Sequence, residues 1–276
     1  MDFKKNIYNI FNSMVYDRSY YEIVSDFFEM SAIAIRNAVD LRPSREMYEE
    51  RYLQTAKHYK PEQLQKFSQA LAILQKEISS AVDGNAAFAD WAGEIYMESK
   101  TSNSNLGQFF TPYHVSKVIA LCGLDISHIT AKIAADPDTV ITIGEPTCGA
   151  GGLIVAAIEE LSRQNINYAW NVFVDCGDID ARCVHMTYLT LSLLGVPAVV
   201  RRGDALMLKY TEDWLTPAYI FAYAHFAKRI GQGGYPKSPV VMKSTSQPPT
   251  AATAIEPTRT AIEPPKIDKT GQYLLF

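Results

Sequence analysis

Acidic residues recur at three places where short apolar runs end, and a glycine-rich turn follows the first of them. The stretch 139–154 reads TVITIGEPTCGAGGLI. An apolar run leads into Glu145 and Pro146, then Thr147 and Cys148, then Gly149, Ala150, Gly151 and Gly152, and finally a helix-forming run. Glycines in such a turn let the backbone bend sharply and let a ligand approach the main chain with no Cβ in the way. A dinucleotide site would carry G-x-G-x-x-G, and the third glycine is missing here. A carboxylate ahead of the turn suits a ligand bearing an ammonium group better than it suits a pyrophosphate. The competing reading is a purely structural strand-to-helix turn. Two further acids favour a ligand. Asp178 or Asp180 follows the second apolar run, in CGDIDARC, where an acid can accept hydrogen bonds from ribose hydroxyls. Asp204 follows the third, in RRGDAL, where it can accept from an adenine amino group. Acids at three consecutive strand ends line one carboxyl edge of a parallel sheet, the edge where α/β folds bind ligands.

The elements that must position these acids are readable from periodicity. Residues 139–144 (TVITIG) read as a buried strand, 153–163 as a helix, 170–176 (WNVFVDC) as a second strand, 180–194 as a helix and 198–202 (AVVRR) as a third strand. Strand–helix repetition predicts an α/β class with a mainly parallel sheet and crossover helices. Residues 1–100 read as a helical domain. Apolar residues recur there at three- and four-residue steps (Ile7, Ile10, Phe11, Met14, then Ile23, Val24, Phe27, Phe28), and Pro43 and Pro61 fall where helices start. Residues 101–230 form the ligand-binding domain. Residues 231–276 hold half of the fourteen prolines among Ser, Thr, Ala and Lys, with the pentapeptide TAIEP repeated, and read as a disordered tail.

Composition narrows the function classes. The chain has 276 residues, 47% hydrophobic and 20% charged, ample for a buried core. The net charge of −4 supplies no global basic field for nucleic acid, although residues 226–276 carry +4 and the remainder −8. Four dispersed cysteines form no CxxC pair and no zinc-spaced cluster, so no metal site is expected. Reduced thiols, an N-terminus unlike a signal peptide and the lack of a membrane-length apolar run predict a cytoplasmic protein.

The segments GQFFTP (107–112), EPTCGAGG (145–152), GDID (177–180) and GDAL (203–206) together resemble the S-adenosylmethionine-dependent DNA adenine-N6 methyltransferases, nearest to the modification subunit of type I restriction–modification systems. The resemblance covers roughly residues 85–215. It implies a helical domain followed by a Rossmann-like methyltransferase domain, S-adenosylmethionine as cofactor, and DNA as partner through a separate specificity subunit. By the same resemblance Phe109, Thr111 and Pro112 pack on the cofactor. Glu145 and Pro146, with the backbone of Cys148, Gly149, Ala150 and Gly151, hold its methionine part, Asp178 its ribose, and Asp204 lies at its adenine.

One part of the family pattern is absent. The [Asn/Asp/Ser]-Pro-Pro-aromatic motif, which takes hydrogen bonds from the adenine amino group and stacks on the flipped base, occurs nowhere in the chain. In its place, residues 214–226 read WLTPAYIFAYAHF, offering Tyr219, Tyr223, His225 and Phe226 but no polar ligand for an amino group. Packing is the expected role of these aromatics, and the catalytic residues are not identified. The sheet is expected to be truncated after this point. The alternative function is therefore a non-catalytic, methyltransferase-like protein acting by interaction. Its last residues, Gln272, Tyr273, Leu274, Leu275 and Phe276, resemble the bacterial sliding-clamp-binding peptide Gln-Leu-x-Leu-Phe, with Tyr273 in place of the first leucine, and imply the sliding clamp as a partner.

Overall fold

The computed structural model describes residues 3–16, 18–100 and 110–230. Phe109 and the residues from 231 onward, including Gln272, Leu274, Leu275 and Phe276, lie outside the described residues. Five helices come first: α1 (Phe3–Asn12), α2 (Tyr20–Val39), α3 (Arg45–Ala56), α4 (Pro61–Val82) and α5 (Trp91–Lys100). Their starts follow local chemistry. Ser19 and Glu22 close a capping box on α2, satisfying two N–H groups that have no intrahelical partner, and Pro61 opens α4 at the position where its missing N–H costs nothing. The apolar stripes meet in one aromatic cluster, in which Phe11, Phe27 and Phe67 lie 5.0–6.0 Å apart.

Two helices, α6 (Tyr113–Gly123) and α7 (Ile126–Ala135), lead into the α/β part. It runs β1 (Ile141–Glu145), α8 (Gly152–Arg163), the short α9 (Tyr168–Asn171), β2 (Val172–Asp178), α10 (Ala181–Leu193), β3 (Ala198–Asp204), β4 (Lys209–Leu215), α11 (Pro217–Phe221) and α12 (Tyr223–Arg229). The sheet order is β1-β2-β3-β4, with β1, β2 and β3 parallel and β4 antiparallel to β3. The class is α/β with a mainly parallel sheet beside a helical part. No single helix among the described residues is long and apolar enough to cross a membrane.

Three details differ from the periodicity reading. Trp170 belongs to α9, and the second strand starts at Val172. The run at 139–144 is not buried: β1 alternates between half-buried and exposed, because among the described residues it pairs only with β2, whereas β2, flanked on both sides, is almost wholly buried. The antiparallel β4 is not marked by apolar alternation at all, since its first three residues are exposed.

The helices and the sheet share a core. α2 packs along α10, and Trp214 of β4 lies 4.8 Å from the Tyr48 ring and 5.3 Å from Tyr188. Arg36 is buried there with its guanidinium 3.9 Å from the Tyr48 ring. Its charge is met by Asp40 at 3.2 Å, and Asp40 is held at 2.6 Å by Arg42, whose other contact is the Asp213 carbonyl at 2.7 Å. A buried cation without such a partner would cost several kcal/mol, on the order of the 3–5 seen when buried pairs are broken.

Candidate cofactor site

The turn between β1 and α8 is fixed from three directions. Gly149 and Gly151 have φ of 55° and 90°, the left-handed region that an L side chain enters only at a cost. Space is tight there as well: a Cβ on Gly149 would stand 3.2 Å from the Phe110 ring, and one on Gly151 would stand 3.1 Å from Thr187 Oγ1. Below the turn, Cys148 N donates to the Gly177 carbonyl at 2.9 Å, and Thr187 Oγ1 donates to the Gly149 carbonyl at 2.9 Å. At its side, Gly149 N donates to Asp178 Oδ2 at 3.0 Å. The turn thus rests on β2 and α10.

A cleft of about 350 Å³ opens over this turn. Thr111, Glu145, Cys148, Gly149, Ala150 and Asp178, all expected at the site, line it. Asp178 is resolved from its neighbour by what each already does. Asp180 caps α10, accepting from Arg182 N at 2.9 Å and from the Arg182 guanidinium. Asp178 accepts one backbone N–H on each oxygen, Gly149 N and Asp180 N, and a carboxylate has about four acceptor positions, so it retains capacity toward the cleft. Glu145 Oε1 accepts from Thr147 N at 3.1 Å and Thr147 Oγ1 at 3.2 Å.

Other expected residues are not brought to the cleft. Asp204 Oδ1 accepts from Leu206 N and Met207 N at 2.9 and 3.0 Å, closing the turn after β3. The register explains its distance: Glu145 pairs with Cys176, Asp178 lies two residues further on and pairs with Arg202, and Asp204 lies two further still. Pro112 precedes α6 as its cap, and Pro146 and Gly151 shape the loop without lining the cleft. Tyr219 and Phe226 are buried, in contact with Phe173 at 5.4 and 6.3 Å between ring centroids. His225 stacks on Trp170 at 3.8 Å, its Nε2 3.0 Å from the Trp170 carbonyl. These aromatics are core and surface packing, the role expected for them.

Phe110, Ser116 and Asp90 also line the cleft and are not singled out by the sequence. Phe110 lies against the turn and 5.4 Å from Tyr96, whereas the family resemblance points to its neighbour Phe109. Ser116 of α6 is fully buried, and its Oγ has no hydrogen-bond partner among the described residues. Asp90 is 7% exposed and caps α5 through Oδ1, which accepts from Gly93 N at 3.0 Å. Burial pushes its carboxyl pKa up to about 6. The cleft therefore has three carboxylates (Asp90, Glu145, Asp178) and no Lys, Arg or His among its described lining residues. Such a wall selects a ligand carrying positive charge. The chemistry fits S-adenosylmethionine, which has a sulfonium and an ammonium group and a ribose whose hydroxyls need acceptors.

The family model for N-6 DNA methylase matches residues 89–235, just over half of the chain and including every residue of the cleft. Among solved structures, the chain is similar to one from Listeria monocytogenes described as a class I S-adenosylmethionine-dependent methyltransferase. The two are 14% identical with a TM-score of 0.37, over 74% of this chain and 54% of the other. The chain thus spans about half the length of that protein. No curated protein sequence matches it.

Proposed function

We propose, as the chain belongs to the N-6 DNA methylase family, that its cleft holds S-adenosylmethionine, the cofactor of that family, with Asp178 on the ribose hydroxyls and the Glu145 side on the methionine part. The observation that carries this reading is the convergence of three carboxylates on a glycine turn that is already braced by β2 and α10. The cofactor supplies an electrophilic methyl group when bound; this chain supplies the pocket, the acceptors for ribose and the exclusion of anionic ligands. Calorimetric titration of S-adenosylmethionine is the test. Micromolar binding by the wild type, weakened at least tenfold by Asp178→Ala, is the expected result, since an acceptor shared with Gly149 N serves both the ligand and the turn. A folded wild type that binds no S-adenosylmethionine would overturn the reading.

A second reading concerns the fate of the bound cofactor. The segment in which the family carries its amino-group ligand is WLTPAYIFAYAHF here. Its Trp214, Tyr219 and Phe226 are buried, so none of these three is open to a flipped adenine, and its His225 is stacked on Trp170 with Nε2 turned to the Trp170 carbonyl. This supports a protein that binds the cofactor and acts by interaction, with DNA reached through a specificity subunit and the sliding clamp through residues 272–276. Transfer of label from methyl-tritiated S-adenosylmethionine to adenine in DNA by the purified chain would refute it.

A further inference from the structure

The Asp90 carboxylate is placed as a ligand group, not only as a cap. It reaches the cleft from the start of α5, and Oδ1 is spent on Gly93 N. Oδ2 has no hydrogen-bond partner among the described residues and lies where a Cβ on Gly152 would stand only 3.0 Å away, so the absence of a side chain at the first position of α8 leaves it room. Ser116 Oγ, also without a partner among the described residues, lines the same cleft. Ser116 Oγ is wholly buried and costly to leave unpaired, and Asp90, itself 7% exposed, has its second oxygen open to a further donor. A cation with several N–H groups meets both needs. Glu145 is a poorer candidate, because its Oε1 already accepts both donors of Thr147.

We infer that Asp90, with Ser116 beside it, receives the ammonium group of the cofactor's amino-acid part; the inference rests on the cofactor reading above. The charged form of Asp90 is then the binding form. The groups facing it are Glu94 on its own helix, Tyr113 on α6 and, across the cleft, Glu145 and Asp178. The Tyr113 hydroxyl is donated to Glu159, which also pairs with Lys117 at 2.9 Å, so among the described residues no cation is left to hold Asp90 ionised before the ligand comes. With its carboxyl pushed up to about 6, affinity rises with pH from 5 to about 7, over which range the ligand's ammonium group keeps its charge.

The test compares three probes by calorimetry on the full chain: S-adenosylmethionine, S-adenosylhomocysteine, which lacks the sulfonium charge, and 5′-methylthioadenosine, which lacks the amino-acid part. Asp90→Asn keeps an oxygen that can cap α5. It is expected to weaken the first two probes about tenfold or more at pH 7.5, to flatten their pH profile, and to leave methylthioadenosine unchanged. Equal binding of S-adenosylmethionine by wild type and Asp90→Asn would overturn the inference while leaving the cofactor reading intact. So would the same selective loss in Glu145→Gln but not in Asp90→Asn, or a uniform loss of all three probes in Asp90→Asn. A folded wild type that binds none of the probes would remove the cofactor reading and this inference together.

Discussion

A carboxyl whose pKa rises on folding holds its proton more tightly in the folded chain than in the unfolded one. For Asp90 the ordinary value is 3.8 and the folded value about 6, with burial the largest cause. Below pH 3.8 both states are protonated and the group costs nothing. As pH climbs through that value toward 6, the unfolded chain releases its proton first, and stability is lost. Above 6 the full penalty is present, at most about 3 kcal/mol. Asp90→Asn removes the charge and keeps the cap, so it is expected to stabilise the ligand-free protein by about 1–3 kcal/mol at pH 7.5 and to change little at pH 4. Melting curves of the two proteins at both pH values check this; a lower midpoint for the variant at pH 7.5 would contradict it. Gly151 is the opposite case, a residue whose value is conformational. At φ 90°, and with Thr187 Oγ1 3.1 Å from where a Cβ would stand, Gly151→Ala must strain the turn or move α10. A loss of about 1–3 kcal/mol in urea unfolding, with weaker cofactor binding, is expected. The glycines are legible as such, because a turn that needs them must write them close together. Asp90 is not, because it looks like any helix-capping acid until α5 is brought against the start of α8.

Among the elements, those legible in the sequence are the ones whose apolar pattern is set by burial, as a stripe in a helix or as a continuous run in a strand. α4 and α8 follow their stripes, and β2 and β3 follow their apolar runs. β4 escapes such a reading because its outer residues are polar and its anchoring comes from the helices: Trp214 is enclosed by Tyr48, Tyr188 and His185, and Glu212 takes hydrogen bonds from Tyr48, Arg202 and Trp214. Such contacts join residues far apart in the chain, and no local pattern encodes them. They also mean that α2, α3 and the sheet are not independent. Trp214→Ala leaves Arg36 and Tyr48 without their apolar cover and is expected to cost about 3–5 kcal/mol. Helical signal and tryptophan fluorescence should still be lost in one coincident transition in urea. Two separated transitions in the wild type would show that the helical part folds on its own.

At the scale of the whole molecule, the charge is divided: residues 226–276 carry +4 and the rest −8. The acidic part is the one with the cofactor cleft, and the basic part leads to Gln272, Leu274, Leu275 and Phe276. If those residues engage the sliding clamp as we propose, their side chains act as a short apolar anchor, with the Gln272 amide setting register. An anchor of this size binds weakly by itself, and its use is to raise the local concentration of the cofactor-binding part near DNA that the clamp encircles. That arrangement separates two measurable quantities. A peptide of residues 267–276 is expected to bind the purified clamp in the micromolar range, and Phe276→Ala to abolish that binding, while the same substitution in the full chain leaves S-adenosylmethionine binding untouched. A full chain that binds the clamp equally well with Phe276→Ala would place the contact elsewhere. No peptide binding at high micromolar concentration, together with no full-chain binding, would remove the clamp from the function and leave the basic residues of 226–276 to be tested against DNA, where affinity should fall steeply with salt.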